Sequence, residues 1–187
     1  MEVIPTAFPG VLLIKPRMFR DQRGFFMETF HDNRYRELGI DCRFVQDNLS
    51  RSSRGTLRGL HYQKQRPQAK LVQAIVGEIF DVAVDVRPGS PFFGRWVGER
   101  LTGDNGHQLY IPEGFAHGFC VLSDEAVFIY KCTDFYAPED EGGVLWSDPD
   151  LAIEWPVSVP VLSEKDRSLP LLQDLGEDDL PQTGVHR

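Results

Sequence analysis

Short runs of alternating or β-branched residues, each closed by a turn signal, constrain this chain more than any other feature. The runs are Val11–Lys15, Phe25–Thr29, Phe44–Asp47, Thr56–Tyr62, Lys70–Val76, Glu78–Val86, Arg95–Leu101, Gln108–Ile111, Gly118–Leu122 and Ala126–Cys132. Between them stand Asp21-Gln22-Arg23-Gly24, Arg87-Pro88-Gly89-Ser90, Gly103-Asp104-Asn105-Gly106 and Pro112-Glu113-Gly114. Many short strands with regular punctuation indicate an antiparallel sandwich or barrel. Asp32–Leu38, opening on Asp and followed by Gly39, reads as a short helix. In the stretch 79–86, Ile79, Asp81, Ala83 and Asp85 alternate with Phe80, Val82, Val84 and Val86. One face therefore packs, and the other is expected to carry its carboxylates toward a barrel mouth.

At 187 residues the chain suits one well-filled core. Residues 1–170 are expected to form that single domain, and the polar segment 171–187 a mobile tail. The formal net charge of −8 excludes nonspecific nucleic-acid binding, which depends on clustered Lys and Arg. It leaves room for a phosphate-bearing small ligand in a local pocket of arginines. The three cysteines, Cys42, Cys120 and Cys132, have no paired metal spacing, and the last two lie in apolar runs as buried thiols. The start lacks a basic region followed by a long apolar one, and no apolar run approaches a membrane span. A cytoplasmic, reducing location is expected, with no membrane partner.

Two segments point to the site. Gly106, Pro112, Gly114 and His117 have the spacing G-x5-P-x-G-x2-H, similar to the later half of a cupin barrel. In GTLRGLHYQKQ, Gly55 is followed after five residues by His61, where a metal-binding cupin continues His-x-His and then Glu. Here Gln63 replaces the second histidine, and no carboxylate lies between Tyr62 and Val76. A transition-metal site normally needs three or more converging donors, and His61 with His117 is too few. No metal is expected. The expected fold is all-β: a double-stranded β-helix, or jelly-roll cupin-like barrel, with a few short helices. Its polar mouth, holding a histidine, a lysine and arginines, suits proton chemistry on an anionic substrate.

The runs RGFFMETF, FVQDNLSRS, LRGLHYQ, AKLVQAIVGEIFDVAVDVR, SPFFGRWVGE, LYIPEGFAHGF, YKCTDFYAPEDEGGVLWSDPDLAIEWP and LSEKD resemble the dTDP-4-dehydrorhamnose 3,5-epimerase family over roughly residues 1–170. The resemblance implies a homodimer without metal or other cofactor. It also implies inversion of C3 and C5 of dTDP-4-keto-6-deoxyglucose, on the route to dTDP-rhamnose. The chemistry is coherent: a 4-keto group acidifies the hydrogens on both flanking carbons. Inversion needs a base, an acid on the opposite face and a positive group for the enolate oxygen. His61 is the natural base, because imidazole titrates near the working pH. By the resemblance Tyr130 is the acid, and Lys70 stands beside the developing oxyanion. A histidine base needs a carboxylate to hold its tautomer; the resemblance assigns Asp166, while Asp85 is an alternative.

Arg23, Arg58 and Lys165 are candidates for the diphosphate. The resemblance sets Tyr136 against thymine and adds Glu28, Gln46, Asp47, Asn48, His117 and Glu141 as substrate contacts. It also implies that Arg23 and Glu28 reach the site from the partner subunit. Three rival readings stand beside the 3,5-epimerase: a single-carbon epimerase of a related dTDP-4-keto sugar, a metal-dependent cupin, and a non-catalytic sugar-nucleotide-binding module.

Overall fold

The computed structural model describes residues 1–182. In chain order its elements are β1 (Glu2–Pro5), β2 (Leu12–Lys15), β3 (Met18–Asp21), β4 (Gly24–Met27), α1 (Asp32–Glu37), β5 (Gln46–Ser53) and β6 (Leu57–Gln63). They continue as β7 (Lys70–Val76), β8 (Glu78–Asp85), β9 (Trp96–Thr102), β10 (Gln108–Ile111), β11 (Phe115–Val121), β12 (Glu125–Cys132), β13 (Glu141–Gly143) and α2 (Glu164–Arg167). One sheet has the order β1-β2-β10-β7-β12-β5, the other β13-β6-β11-β8-β9, and β3 and β4 form a separate hairpin.

The two sheets face one another as a β-sandwich closed around an apolar core. Val72, Leu109 and Phe128 from the first sheet meet Ile79, Ala83 and Phe115 from the second. Fully burying such side chains stabilises by roughly 1.5–3 kcal/mol each. Both outer faces are also covered. Tyr35 of α1 and Ile40 pack on Ile14 and Leu71 outside the first sheet. Outside the second, Val144, Leu151, Leu172 and Leu180 cover Val82, Val84 and Ala116.

The expected tail is therefore corrected up to Gln182. Leu172 and Leu180 are buried at 8% and 5% exposure, and the Gln182 amide donates to the Lys64 carbonyl at 2.8 Å. Apolar residues spaced through a polar segment suffice to tie it down. The remaining part of that expectation, 183–187, lies outside the described residues.

β8 also differs from its sequence reading. Both of its faces are covered, and neither carboxylate opens into the barrel mouth. Asp85 is fully buried against the following turn, where it accepts from Arg87 Nε at 2.9 Å and from the Ser90 hydroxyl at 2.7 Å. Asp81 is equally buried and bonds His117. The crossing of β6 and β11 sets both site histidines. A side chain at Gly59 would place Cβ 2.5 Å from Gly118 Cα, and one at Gly118 would meet the Arg58 carbonyl at 2.7 Å. Glycine at both positions lets the strands touch, and His117 falls opposite His61.

Candidate active site

A cavity of about 500 Å³ opens between the two sheets. One wall carries Lys70 from β7 and Phe128 and Tyr130 from β12; the other carries His61 from β6 and His117 from β11. Strand alternation aims Gln46, Asn48 and Ser50 of β5 inward as well. Asp166 and Lys165 enter from α2, which begins where the Ser163 hydroxyl accepts from the Asp166 amide at 3.1 Å.

His61 Nε2 lies 2.6 Å from Asp166 Oδ1, with the carboxylate side chain 5% exposed. Asp166, not Asp85, thus fills the position beside the histidine. Burial opposes ionisation of Asp166, but the hydrogen bond and charge of His61 and the Ser163 contact outweigh it, holding its carboxyl below the ordinary range. A histidine that donates from Nε2 to such a carboxylate keeps its lone pair on Nδ1.

Tyr130 lines the same cavity, and burial raises its phenol, with Cys132 acting in the same direction and Arg58 opposing. A phenol kept protonated is a proton donor. Burial pushes the Lys70 ammonium down, while Cys132, Asp81 and Glu141 act to restore its charge. Arg58 reaches the cavity with its guanidinium on the neutral Ser52 hydroxyl, at 3.1 and 3.2 Å. That leaves its charge available for an anion. Glu141 binds Lys165 at 2.8 Å and accepts from the Tyr136 hydroxyl at 3.0 Å.

The donor set is short of what a transition metal takes: beside His61 and His117 the motif position of a further histidine holds Gln63, whose amide is used by the Ala137 backbone at 2.7 and 3.0 Å. Among the described residues, no group of three or more His, Cys, Asp or Glu is placed to share an ion.

The family model described as dTDP-4-dehydrorhamnose 3,5-epimerase matches residues 5–174. The chain belongs to the dTDP-4-dehydrorhamnose 3,5-epimerase family. It is 57% identical over 168 residues to the enzyme of that name from Shigella flexneri, covering 89% of this chain and 93% of that one. The Neisseria gonorrhoeae relative of the same name is 58% identical over 167 residues; the match spans 89% of this chain but about half, 51%, of that longer protein. Among solved structures, the dTDP-6-deoxy-D-glucose-3,5-epimerase of Legionella pneumophila, in complex with dTDP-4-keto-L-rhamnose, superposes with a TM-score of 0.94. It is 53% identical, with 98% of this chain and 99% of that one covered. The fold is the cupin-like barrel of these epimerases, and the chain is an epimerase of dTDP-rhamnose biosynthesis.

Of the residues expected from sequence, His61, Lys70, Tyr130 and Asp166 converge on one cavity, joined by Arg58, His117, Gln46, Asn48, Tyr136, Glu141 and Lys165. Three expected contacts lie elsewhere. Asp47 points to the outer face of β5 and pairs with Lys131 at 2.9 Å. Arg23 pairs with Asp21 and has a 90% exposed side chain, while Glu28 pairs with Arg34 at 2.8 Å. Neither lines this chain's cavity. Sequence reasoning missed Ser50, Phe119, Phe128 and Cys132 as lining residues. The alternation of β5 and β12 would have found Ser50, Phe128 and Cys132, once Asn48 and Tyr130 were taken as inward.

Proposed function

We propose that the cavity binds dTDP-4-keto-6-deoxyglucose and inverts C3 and C5 to give dTDP-4-keto-L-rhamnose, without a metal. The observation that carries this reading is the 2.6 Å His61–Asp166 bond on one wall, with Tyr130 and Lys70 on the facing sheet. His61 Nδ1 removes the acidic hydrogen next to the ketone. The electron pair moves onto the 4-oxygen, where the Lys70 ammonium stabilises it. Tyr130 then protonates the same carbon from the opposite face; His61 releases its proton to solvent, the Tyr130 phenolate takes one back, and two such rounds invert both carbons. Arg58 and Lys165 take the diphosphate, and Tyr136, 48% exposed at the rim, offers a face to thymine. Gln46, Asn48, His117 and Glu141 supply polar contacts to the rest of the substrate.

The active unit in this reading is a homodimer working in the cytoplasm. The β3–β4 hairpin carries Phe19, Phe25 and Phe26 at 50%, 52% and 69% exposure, beside Arg23 and before Glu28. Covering that apolar arm with a second copy would deliver both charged side chains to the partner's cavity.

The test is incubation with dTDP-4-keto-6-deoxyglucose in deuterated water, reading exchange and configuration at C3 and C5 separately by proton NMR. Deuterium and inverted configuration at both carbons are expected. Inversion at one carbon only would make the protein a single-carbon epimerase. Absence of exchange would reduce it to a binding module.

A further inference from the structure

His117 and His61 are register partners on β11 and β6, and each bonds a carboxylate through Nε2. The carboxylate of His117 is Asp81, whose oxygens lie 2.9 and 3.1 Å from the ring nitrogen. The mechanism above makes no use of it. Asp81 is 0% exposed and does not line the cavity, so it reaches substrate only through its neighbours. The His117 ring is held flat against Phe128, with centroids 6.1 Å apart and planes 20° apart. His117 lines the cavity with Nε2 committed to Asp81, which leaves Nδ1 as the ring nitrogen not bonded to that carboxylate.

A carboxylate removed from water needs a compensating charge. The titratable groups facing Asp81 are His117 on β11 and Lys70 on β7. His117 also faces Lys70 and His61. Lys70 faces Cys132 on β12 and Glu141 on β13. Burial raises the Asp81 carboxyl, and His117 and then Lys70 oppose that rise. Burial, aided by the charge of Lys70, outweighs the pull of Asp81 and keeps His117 neutral. A neutral imidazole that donates from Nε2 has its lone pair on Nδ1, and that atom accepts hydrogen bonds and donates none.

We propose that Asp81 is a positioning residue of this site. It fixes His117 as the Nε2–H tautomer, so that Nδ1 receives a hydroxyl hydrogen of the sugar and not the ketone oxygen. The sugar contact rests on the epimerase reading; the tautomer does not.

The test uses full-length parent, Asp81→Asn and Asp81→Glu, with histidine labelled with ¹⁵N and folding checked by near-ultraviolet circular dichroism and dTDP binding. The parent at pH 7 is expected to show His117 neutral with its proton on Nε2. In Asp81→Asn the carboxamide can donate its own hydrogen, and His117 should shift toward the Nδ1–H form. kcat/KM should fall about 10–100-fold, comparable to the loss when the orienting partner of a metal-bound histidine is removed. Asp81→Glu, which retains the carboxylate, should keep more of the Nε2–H form and of the activity than Asp81→Asn. A folded Asp81→Asn with parent tautomer and rate overturns the proposal. Should Asp81→Asn not fold, the parent spectrum still decides: His117 as imidazolium, or protonated on Nδ1 alone, overturns it. A parent protein that does not epimerise at all sinks the functional reading, while the spectrum still tests Asp81.

Discussion

Lys165 and Glu141 are joined head to head, with Nζ 2.8 and 3.0 Å from the two carboxylate oxygens. The charge of Lys165 is already neutralised before any ligand arrives, whereas Arg58 rests on a neutral hydroxyl. The diphosphate should therefore draw most of its binding from Arg58. Arg58→Ala is expected to weaken dTDP binding about 10–100-fold, the equivalent of one charged hydrogen-bonding group. Lys165→Ala should cost less than about fivefold. Calorimetric titration of both variants decides the order, and the reverse order would make Lys165 the principal anion ligand.

Tyr130→Phe should separate exchange from inversion. His61 can still remove a proton and return one to the same face, so deuterium enters without a change of configuration. Inversion should fall about 10²–10⁴-fold, as for loss of a positioned acid. A variant inverting both carbons at the parent rate would remove Tyr130 from the acid role.

The composite site has a complementation test. Arg23→Ala should raise KM more than it lowers kcat, and His61→Ala should be inactive. Mixed subunits can form one intact site from two defective chains, so activity should recover after subunit exchange. Failure to recover, with exchange verified by mass spectrometry, would place Arg23 outside the partner's site.

Acid should expose the role of Asp166 in stability. Its folded carboxyl lies below the ordinary value of 3.8, because the His61 contact outweighs burial. As pH falls, the unfolded chain takes up the proton first. The stabilising contribution is thus complete above about pH 5 and is lost as pH drops through the folded value. The difference in urea midpoint between parent and Asp166→Asn should be largest at pH 6–7 and shrink toward pH 3. A difference that grows on acidification would contradict the assignment.

The C-terminal segment should contribute to global stability. Leu180 is 5% exposed among Val144, Leu151 and Leu172, so Leu180→Ala is expected to cost about 2–4 kcal/mol in urea unfolding. A mobile segment would give a change within about 0.5 kcal/mol.

Strands with a dense apolar run were legible from sequence: Lys70–Val76 and Gln108–Ile111 have the bounds read from their pattern. β5 was legible only in part. Beyond Asp47 it runs Asn-Leu-Ser-Arg-Ser-Ser, with one face on a polar cavity and Leu49 and Arg51 exposed on the other, so no hydrophobic period marks it. β13 and α2 are held by tertiary contacts and carry little propensity of their own. Among site residues, His61 and His117 stood out through motif spacing, while Tyr130, Lys70 and Asp166 were reached through family resemblance. No local pattern ties Asp166 to His61, since the pairing exists only once α2 docks on β6. Asp81 showed as one carboxylate of an alternating strand, and its partner was hidden because cross-strand register is not written in either strand alone.

The separation of 105 residues between His61 and Asp166 also has a meaning in time. His61, Lys70, His117 and Tyr130 all leave the ribosome before the carboxylate that orients the base. At ~5–20 residues per second, the catalytic histidine waits about 5–20 s for its partner. A chain interrupted in the stretch after Tyr130 also lacks Tyr136, Glu141 and Lys165 of the cavity wall. The carboxylate beside His61 is thus among the last parts of the site to be made.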